Sequence, residues 1–266
     1  MQTTKSAPTA NRLLAALPND VRQGVLAGCK KVDLHFAEVL AEPGEPIRHV
    51  YFPTRSFITL EEKIDGHASL EVGMVGNEGM LGISLVLGVN VSPLHALVLG
   101  AGPALRMDAA TFAGALESSR ELQRVCRQYL YISAAQLAQT AACTHFHVVE
   151  ARLASRLLMM QDRAHSNQFH ITHELMACML GVRRVGVTRA ATSLHKQELI
   201  DYSRGDITIL NRKGLKAVSC GCHAKDNEIY AHMMGQLLLE PEPMFCVRGN
   251  SPERGRYNWN EAAVLG

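Results

Sequence analysis

Arg183, Arg184 and Arg189 fall within one seven-residue window, just after Gly181 and beside Val185 and Thr188. On a helix starting near Arg183, these arginines and Thr188 lie opposite the apolar set Val182, Val187 and Ala190. One face is then cationic and the other suited to packing. A planar guanidinium can engage guanine O6 and N7 together, so an exposed arginine face of this kind suits the major groove of duplex DNA. Arg204 falls at the tip of Ser203-Arg204-Gly205-Asp206, a turn signal between two short apolar runs. A cation there is placed for phosphate, which sets register without reading bases. The contact set read from this region is Thr172, His173, Arg183, Arg184, Val185, Thr188, Arg189 and Arg204.

A second kind of chemistry lies nearer the C-terminus. Cys220-Gly221-Cys222-His223 brings two thiols and an imidazole together, and His232 or Cys246 would complete a tetrahedral zinc set. The spacing is tighter than the usual Cys-x₂-Cys, and two cysteines packing a C-terminal extension is the competing reading. His145, His147, His165, His170 and His173 cluster in sequence, which suits either a pH- or metal-sensitive hinge or ordinary polar exposure. The seven cysteines are odd in number and scattered, so they are not a disulfide framework. There is no Gly-rich phosphate loop, nucleophile elbow or His-Glu-x-x-His motif, and a catalytic role is not expected.

The elements that must carry these residues can be read from pattern. Ile171–Leu180 reads as a short helix with Thr172 at its N-cap, although Glu174 comes one residue too early for a full capping box. Gly181 suits a tight left-handed turn, and a second helix runs from about Arg183 to Lys196. Glu198–Leu210 then reads as strand, glycine turn, strand: a hairpin wing.

Upstream, residues 11–27 read as two short helices split at Pro18, with Asn19 or Asp20 as cap of the second. From Lys30 to about Met107, short apolar runs alternate with turn signals such as Pro43-Gly44, Asp65-Gly66 and Gly76-Asn77, as in a small antiparallel roll with a helical turn within Gly79–Leu87. Residues 109–145 lack proline and read as one long helix. Leu122, Cys126, Tyr129, Ser133 and Gln136 follow a 4-3 spacing, continued by Thr140 and Cys143, and form a partly polar seam. That seam serves either a dimer partner or the chain's own sheet domain. Val148–Arg163 is a further helix. The domains expected are 1–108, a sheet domain with N-terminal helices; 109–145, the long helix; 146–218, the helix-turn-helix; and 219–266, an extension ending in a partly disordered tail.

Charge is modest overall, at +2, but uneven. Residues 166–216 hold eight basic and four acidic side chains, a local +4, which leaves −2 for the rest. A basic module on a slightly acidic body fits a polyanionic partner. No apolar run reaches the roughly 18–20 residues of a membrane span, and Met1–Asn11 lacks the apolar core of a secretory signal, so a cytoplasmic protein with no membrane partner is expected.

At Ala151–Leu158, Ile171–Leu194 and the wing, the chain resembles the Crp/Fnr family of transcription regulators, and the resemblance extends more loosely over residues 11–220. It implies an α+β fold: an N-terminal double-stranded β-roll resembling cyclic-nucleotide-binding domains, a long dimerisation helix, and a C-terminal winged helix-turn-helix. It further implies a homodimer on a near-palindromic duplex site, with RNA polymerase as a further partner. Arg184 and Arg189 match base-contacting arginines, while Val185 replaces a frequent glutamate, which removes an acceptor for a cytosine amino group. In the effector region, Gly79, Met80, Leu81 and His95 are the candidate lining. Met80 stands where the family carries the ribose-binding glutamate, and Ser92–Ala96 lacks the phosphate-binding arginine. Cyclic nucleotide is therefore not expected. Neither is an iron–sulfur cluster, because Cys29 is the sole N-terminal cysteine. Haem stays open, with His35, His49, His67 and His95 in the β region. The alternative function is a ligand-sensing regulatory subunit without DNA binding, against which the arginine face argues.

Overall fold

The computed structural model describes residues 11–63 and 69–235. Asn11, fully buried, caps α1 (Arg12–Ala15) by accepting from the Leu14 amide, and its Nδ2 donates to the Pro53 and Gly79 carbonyls at 2.9 Å. α2 (Asn19–Ala27) begins after Pro18, which occupies the N-cap itself, so neither Asn19 nor Asp20 caps it. Proline's fixed φ and missing N–H suit a helix entry.

Seven strands follow: β1 (Lys30–Leu34), β2 (Val39–Ala41), β3 (His49–Pro53), β4 (Phe57–Glu62), β5 (Leu70–Val75), β6 (His95–Gly100) and β7 (Gly102–Asp108), with a 3-10 turn at Ile83–Leu87. They pair antiparallel into two sheets, ordered β1-β7-β3 and β2-β6-β4-β5. Leu34, Ile58, Val75, Ala96, Val98 and Ala104 close the space between the sheets. This is the expected β-roll. Asp65, Gly66 and His67 lie outside the described residues.

The expected single helix over 109–145 is two helices. α3 (Ala109–Ser118) stops at Ser119, which is extended and caps α4 (Arg120–Phe146) by accepting from the Leu122 amide at 3.1 Å. A serine whose hydroxyl satisfies an otherwise orphaned helix-start N–H makes a boundary inside a helix-rich stretch. α4 has 27 residues and runs about 40 Å at ~1.5 Å per residue.

The C-terminal half comprises α5 (Val149–Ala164), β8 (Gln168–His170), α6 (His173–Leu180), α7 (Arg184–Lys196), β9 (Ile200–Ser203), β10 (Asp206–Ile209), α8 (Arg212–Val218) and α9 (Cys222–Gly235). The three strands form a small sheet ordered β8-β10-β9. Within the expected extension, α9 packs along α4, with Tyr230 and Cys222 buried. Pro241, Pro243, Pro252 and Cys246 lie outside the described residues.

The winged helix is seated on its own β-roll. Phe57, Met74 and Leu99 of the roll share one apolar core with Leu153, Leu157, Met176, Leu180 and Val187. Two charged links cross the same contact: Arg156 to Glu71 and Arg163 to Glu78, each at 2.8 Å. Arg156 and Arg163 project from one side of α5, seven residues and two turns apart.

Candidate nucleic-acid interface

The local sequence explains how the arginine face is aimed. Thr172 Oγ1 accepts the Leu175 amide at 3.2 Å and starts α6. Gly181 ends α6 at φ +60°, and the Val182 amide returns to the Ala177 carbonyl at 3.0 Å. A β-carbon at Gly181 would stand 2.7 Å from Leu70 Cδ1, so glycine meets both the left-handed backbone and the close approach of β5. Met176, Ala177, Leu180, Val187, Ala190 and Leu194 bury the contact between α6 and α7. α7 therefore turns its other side outward.

On that side Arg183, Arg184, Val185 and Arg189 are exposed, and Thr188 is half-buried. Val185, 55% exposed, sits between the arginines as an apolar patch on a cationic face. Arg184 is held 3.5 Å from Glu174 across the start of α6, with both side chains mostly in solvent. Such a pair is worth well under about 1 kcal/mol and yields readily to a phosphate or guanine. Thr188 Oγ1 donates to the Arg184 carbonyl at 3.1 Å and lies 3.1 Å from His173 Nδ1. With the hydroxyl proton thus committed, His173 donates through Nδ1. Burial, then the neighbouring Arg184 charge, hold the His173 pKa below its ordinary value, which favours the neutral ring.

The wing turns at Arg204 (φ +52°) and Gly205 (φ +92°), a two-residue loop with both central residues at positive φ that matches the twist of β9 and β10. Arg204 is exposed at its tip. Thr172, His173, Arg184, Tyr202 and Arg204 line one open groove between α7 and the wing. Glu174 and Tyr202 were missed in the sequence. Tyr202 packs against His173 with the rings tilted at 49° and their centroids 4.9 Å apart, a contact across 29 residues that no local pattern announces.

The other site expectations fare unevenly. Leu122, Cys126 and Tyr129 are buried in the chain's own core with Met80, Met107 and Phe112, so they are not free for a dimer partner. Ser133 and Gln136 are half-buried on the same side. The outward surface of α4 follows another 4-3 series: half-buried Leu130, then exposed Ala134, Leu137 and Ala141, with Ala138 beside it. The two series run along one helix, and burial decides between them.

In the effector region, Met80 and Leu81 line a cavity of about 400 Å³ between the β-roll and α4. Gly79 does not line it. A β-carbon there would fall 1.9 Å from Tyr129 Oη, so Gly79 lets the sheet domain close onto α4. His95 does not line it either: it is buried beside Glu61 (3.5 Å) and Glu42 (3.6 Å). The rest of the lining is chiefly apolar, including Ile47, Leu87, Leu130 and Leu137, with Glu45, Arg48 and His49 as its ionisable side chains. His49 also reaches Asp108 at 3.2 Å. His223 leaves the Cys220-Cys222 pair and bonds Asp162 at 2.7 Å. His165 bonds Asn77 and His170 bonds Asp206, so the histidine run is dispersed over separate partners.

Among the described residues, no helix is long and apolar enough to cross a membrane. A family model described as the Crp-like helix-turn-helix domain matches residues 151–218. No curated protein sequence matches the chain. Among solved structures, FixK2 from Bradyrhizobium japonicum is similar at TM-score 0.61 and 15% identity, covering 72% of this chain and 98% of that one. A putative transcriptional regulator of the Crp/Fnr family from Eubacterium rectale reaches TM-score 0.61 at 16% identity, over 79% and 98% of the two chains. A Crp/Fnr family transcriptional regulator from Thermus thermophilus gives 0.58 at 20% identity, over 71% and 98%. At these identities the likeness is one of fold.

Proposed function

We propose that this chain, a DNA-binding regulator whose helix-turn-helix is Crp-like and whose fold is that of the Crp/Fnr regulators, acts as a homodimer on a near-palindromic duplex site. The observation that carries the reading is the outward arginine face of α7 beside the wing tip: Arg183, Arg184, Arg189 and Arg204 are all exposed, and the apolar side of α7 is fully used inside. Arg184 and Arg189 read bases, Val185 favours a thymine methyl over a cytosine amino group, and Arg204 holds phosphate.

The homodimer rests on the second series along α4. Leu130, Ala134, Leu137 and Ala141 are small or apolar, and Leu137 is 43% exposed. Laid against the same helix of a second copy, this surface would bury a coiled-coil-like seam. Two recognition helices must then sit about one turn of DNA apart, roughly 34 Å.

The cavity against α4 suits an effector that is largely apolar, with Arg48 available to an acidic group. Leu130, Ala134 and Leu137 belong both to its lining and to the proposed seam, so an occupant would bear directly on the dimer helix. A cyclic nucleotide fits poorly, because Met80 stands where the resemblance places a ribose-binding glutamate, on a wall of the cavity that Leu81, Ile83 and Leu87 make apolar. For haem, His49 is the lining imidazole, and it is engaged with Asp108. Absorbance in the Soret region of the purified protein tests haem.

Selection of bound DNA from a random pool, with the wild type and with Arg184→Ala and Arg189→Ala, tests the main reading. A palindromic consensus is expected, and each variant should relax it at its own position at about 1–3 kcal/mol of discrimination. Sequence-blind binding by all three proteins would refute it.

A further inference from the structure

The four side chains Cys143, His147, Cys220 and Cys222 converge at one point of the fold, with their ligand atoms all within 4.8 Å of one another. Cys143 lies in the last turn of α4, and His147 is the C-cap residue that ends it, its amide bonded to the Cys143 carbonyl at 3.1 Å. The other two come from about 75 residues later, where Cys220 precedes α9 and Cys222 is its first residue. The Cys220 amide is pinned to the Ala151 carbonyl at 3.1 Å, which fixes this segment against the start of α5.

The separations have a chemical meaning. Zinc–sulfur bonds of about 2.3 Å and zinc–nitrogen bonds of about 2.0–2.1 Å, at tetrahedral angles, put sulfurs about 3.8 Å apart and sulfur and nitrogen about 3.5 Å apart. Cys143 Sγ and Cys220 Sγ are 3.8 Å apart, and Cys222 Sγ and His147 Nδ1 are 3.5 Å apart. We propose that Cys143, His147, Cys220 and Cys222 form a closed Cys₃His site for a thiophilic divalent cation of the zinc class. Four protein ligands leave no open position, which marks a structural rather than a catalytic site.

The surroundings fit that chemistry. Gln139 Nε2 donates to Cys222 Sγ at 3.1 Å, and Arg152, buried beside the cluster, donates to Thr144 Oγ1 at 3.4 Å, one residue on from Cys143. Three thiolates and one imidazole around a divalent ion carry a net −1, which the Arg152 guanidinium offsets. Arg152 also donates to the Leu180 carbonyl at the end of α6, so this residue joins the cluster to the helix-turn-helix. The ion therefore fastens three pieces at one joint: the end of the long helix, the start of α5, and the head of α9. It differs from the Cys220-Cys222-His223 set expected from adjacency, since His223 is turned to Asp162.

The test uses the full chain, purified in reducing, anaerobic buffer. Elemental analysis should find one zinc ion per chain. Titration of the metal-free protein with Co²⁺ alone should give the intense visible bands of tetrahedral cobalt and a near-ultraviolet thiolate charge-transfer band, saturating at one equivalent. Cys143→Ser, Cys220→Ser and His147→Ala should each lose the tightly held ion. Gln139→Ala should weaken binding about 10- to 100-fold. Cys178→Ser and His223→Ala, outside the set, should bind as wild type. Should a ligand variant fail to fold, the wild-type cobalt spectrum and the Gln139→Ala titration still decide. Absence of both ion and thiolate–cobalt bands in the reduced wild type overturns the site, as does a Cys143–Cys220 disulfide in the anaerobic protein with no metal bound. Full metal retention in Cys143→Ser, or its loss in His223→Ala, overturns this choice of ligands.

Discussion

Glu78→Gln is expected to loosen the seat of the winged helix on the β-roll, and the structure allows the size of the effect to be worked out. Arg163 Nε and Nη2 both lie 2.8 Å from Glu78 Oε1, and the Gly76 amide donates to the same oxygen at 3.1 Å. The two side chains are only 10% and 8% exposed. Removing the carboxylate charge leaves the guanidinium buried and uncompensated, a loss of about 3–5 kcal/mol. Asp226 of α9 also acts on Arg163, which places the expected loss toward the lower end. At about 2–4 °C per kcal/mol for a chain of this size, the melting temperature should fall by roughly 6–15 °C. The pair Glu78→Leu with Arg163→Met should restore most of that stability, because apolar groups of similar volume replace a buried pair at little cost. Thermal melts by circular dichroism at neutral pH of the wild type, Glu78→Leu, Arg163→Met and the double variant complete a double-mutant cycle. A drop below about 2 °C in Glu78→Gln, with a coupling energy under about 0.5 kcal/mol in the cycle, would show a solvated contact and refute the reasoning.

Two further outcomes follow from other parts of the fold. Burial raises the Asp226 carboxyl to about 6 from an ordinary 3.8, despite the nearby Arg163, Arg156 and His223. A raised acid favours folding most below its unfolded value, and that contribution is lost as pH rises through about 6. Asp226→Asn should therefore match the wild type near pH 4 and exceed it above pH 7, by on the order of 1–2 kcal/mol after allowance for partial exposure; superimposable stability curves in urea across that range would contradict this. Leu137→Asp, on the outward series of α4, should leave the chain folded but shift it from dimer to monomer in sedimentation velocity, with affinity for a two-half-site duplex falling at least tenfold. An unchanged dimer would show that α4 is not the seam.

Much of the DNA-facing half is legible in the sequence because its signals are local. A threonine cap, a glycine at a left-handed turn, an arginine face opposite an apolar one, and a Gly-tipped hairpin each act within a turn or two of chain. The break at Ser119 was legible in principle, since a serine before a helix start is a cap signal, but helix formers on both sides masked it. Tertiary structure decided what local pattern leaves degenerate. α4 carries two 4-3 series, and only the packing of Met80, Met107 and Phe112 shows that Leu122, Cys126 and Tyr129 face inward while Ala134, Leu137 and Ala141 face out. Gly79 has its reason in Tyr129, 50 residues away. The partners of Cys220 and Cys222 lie across about 75 residues, because α9 folds back along α4 and brings the head of one helix to the end of the other. Short-range periodicity determines which faces a helix has; which face meets the rest of the chain depends on contacts whose closure spans most of its length.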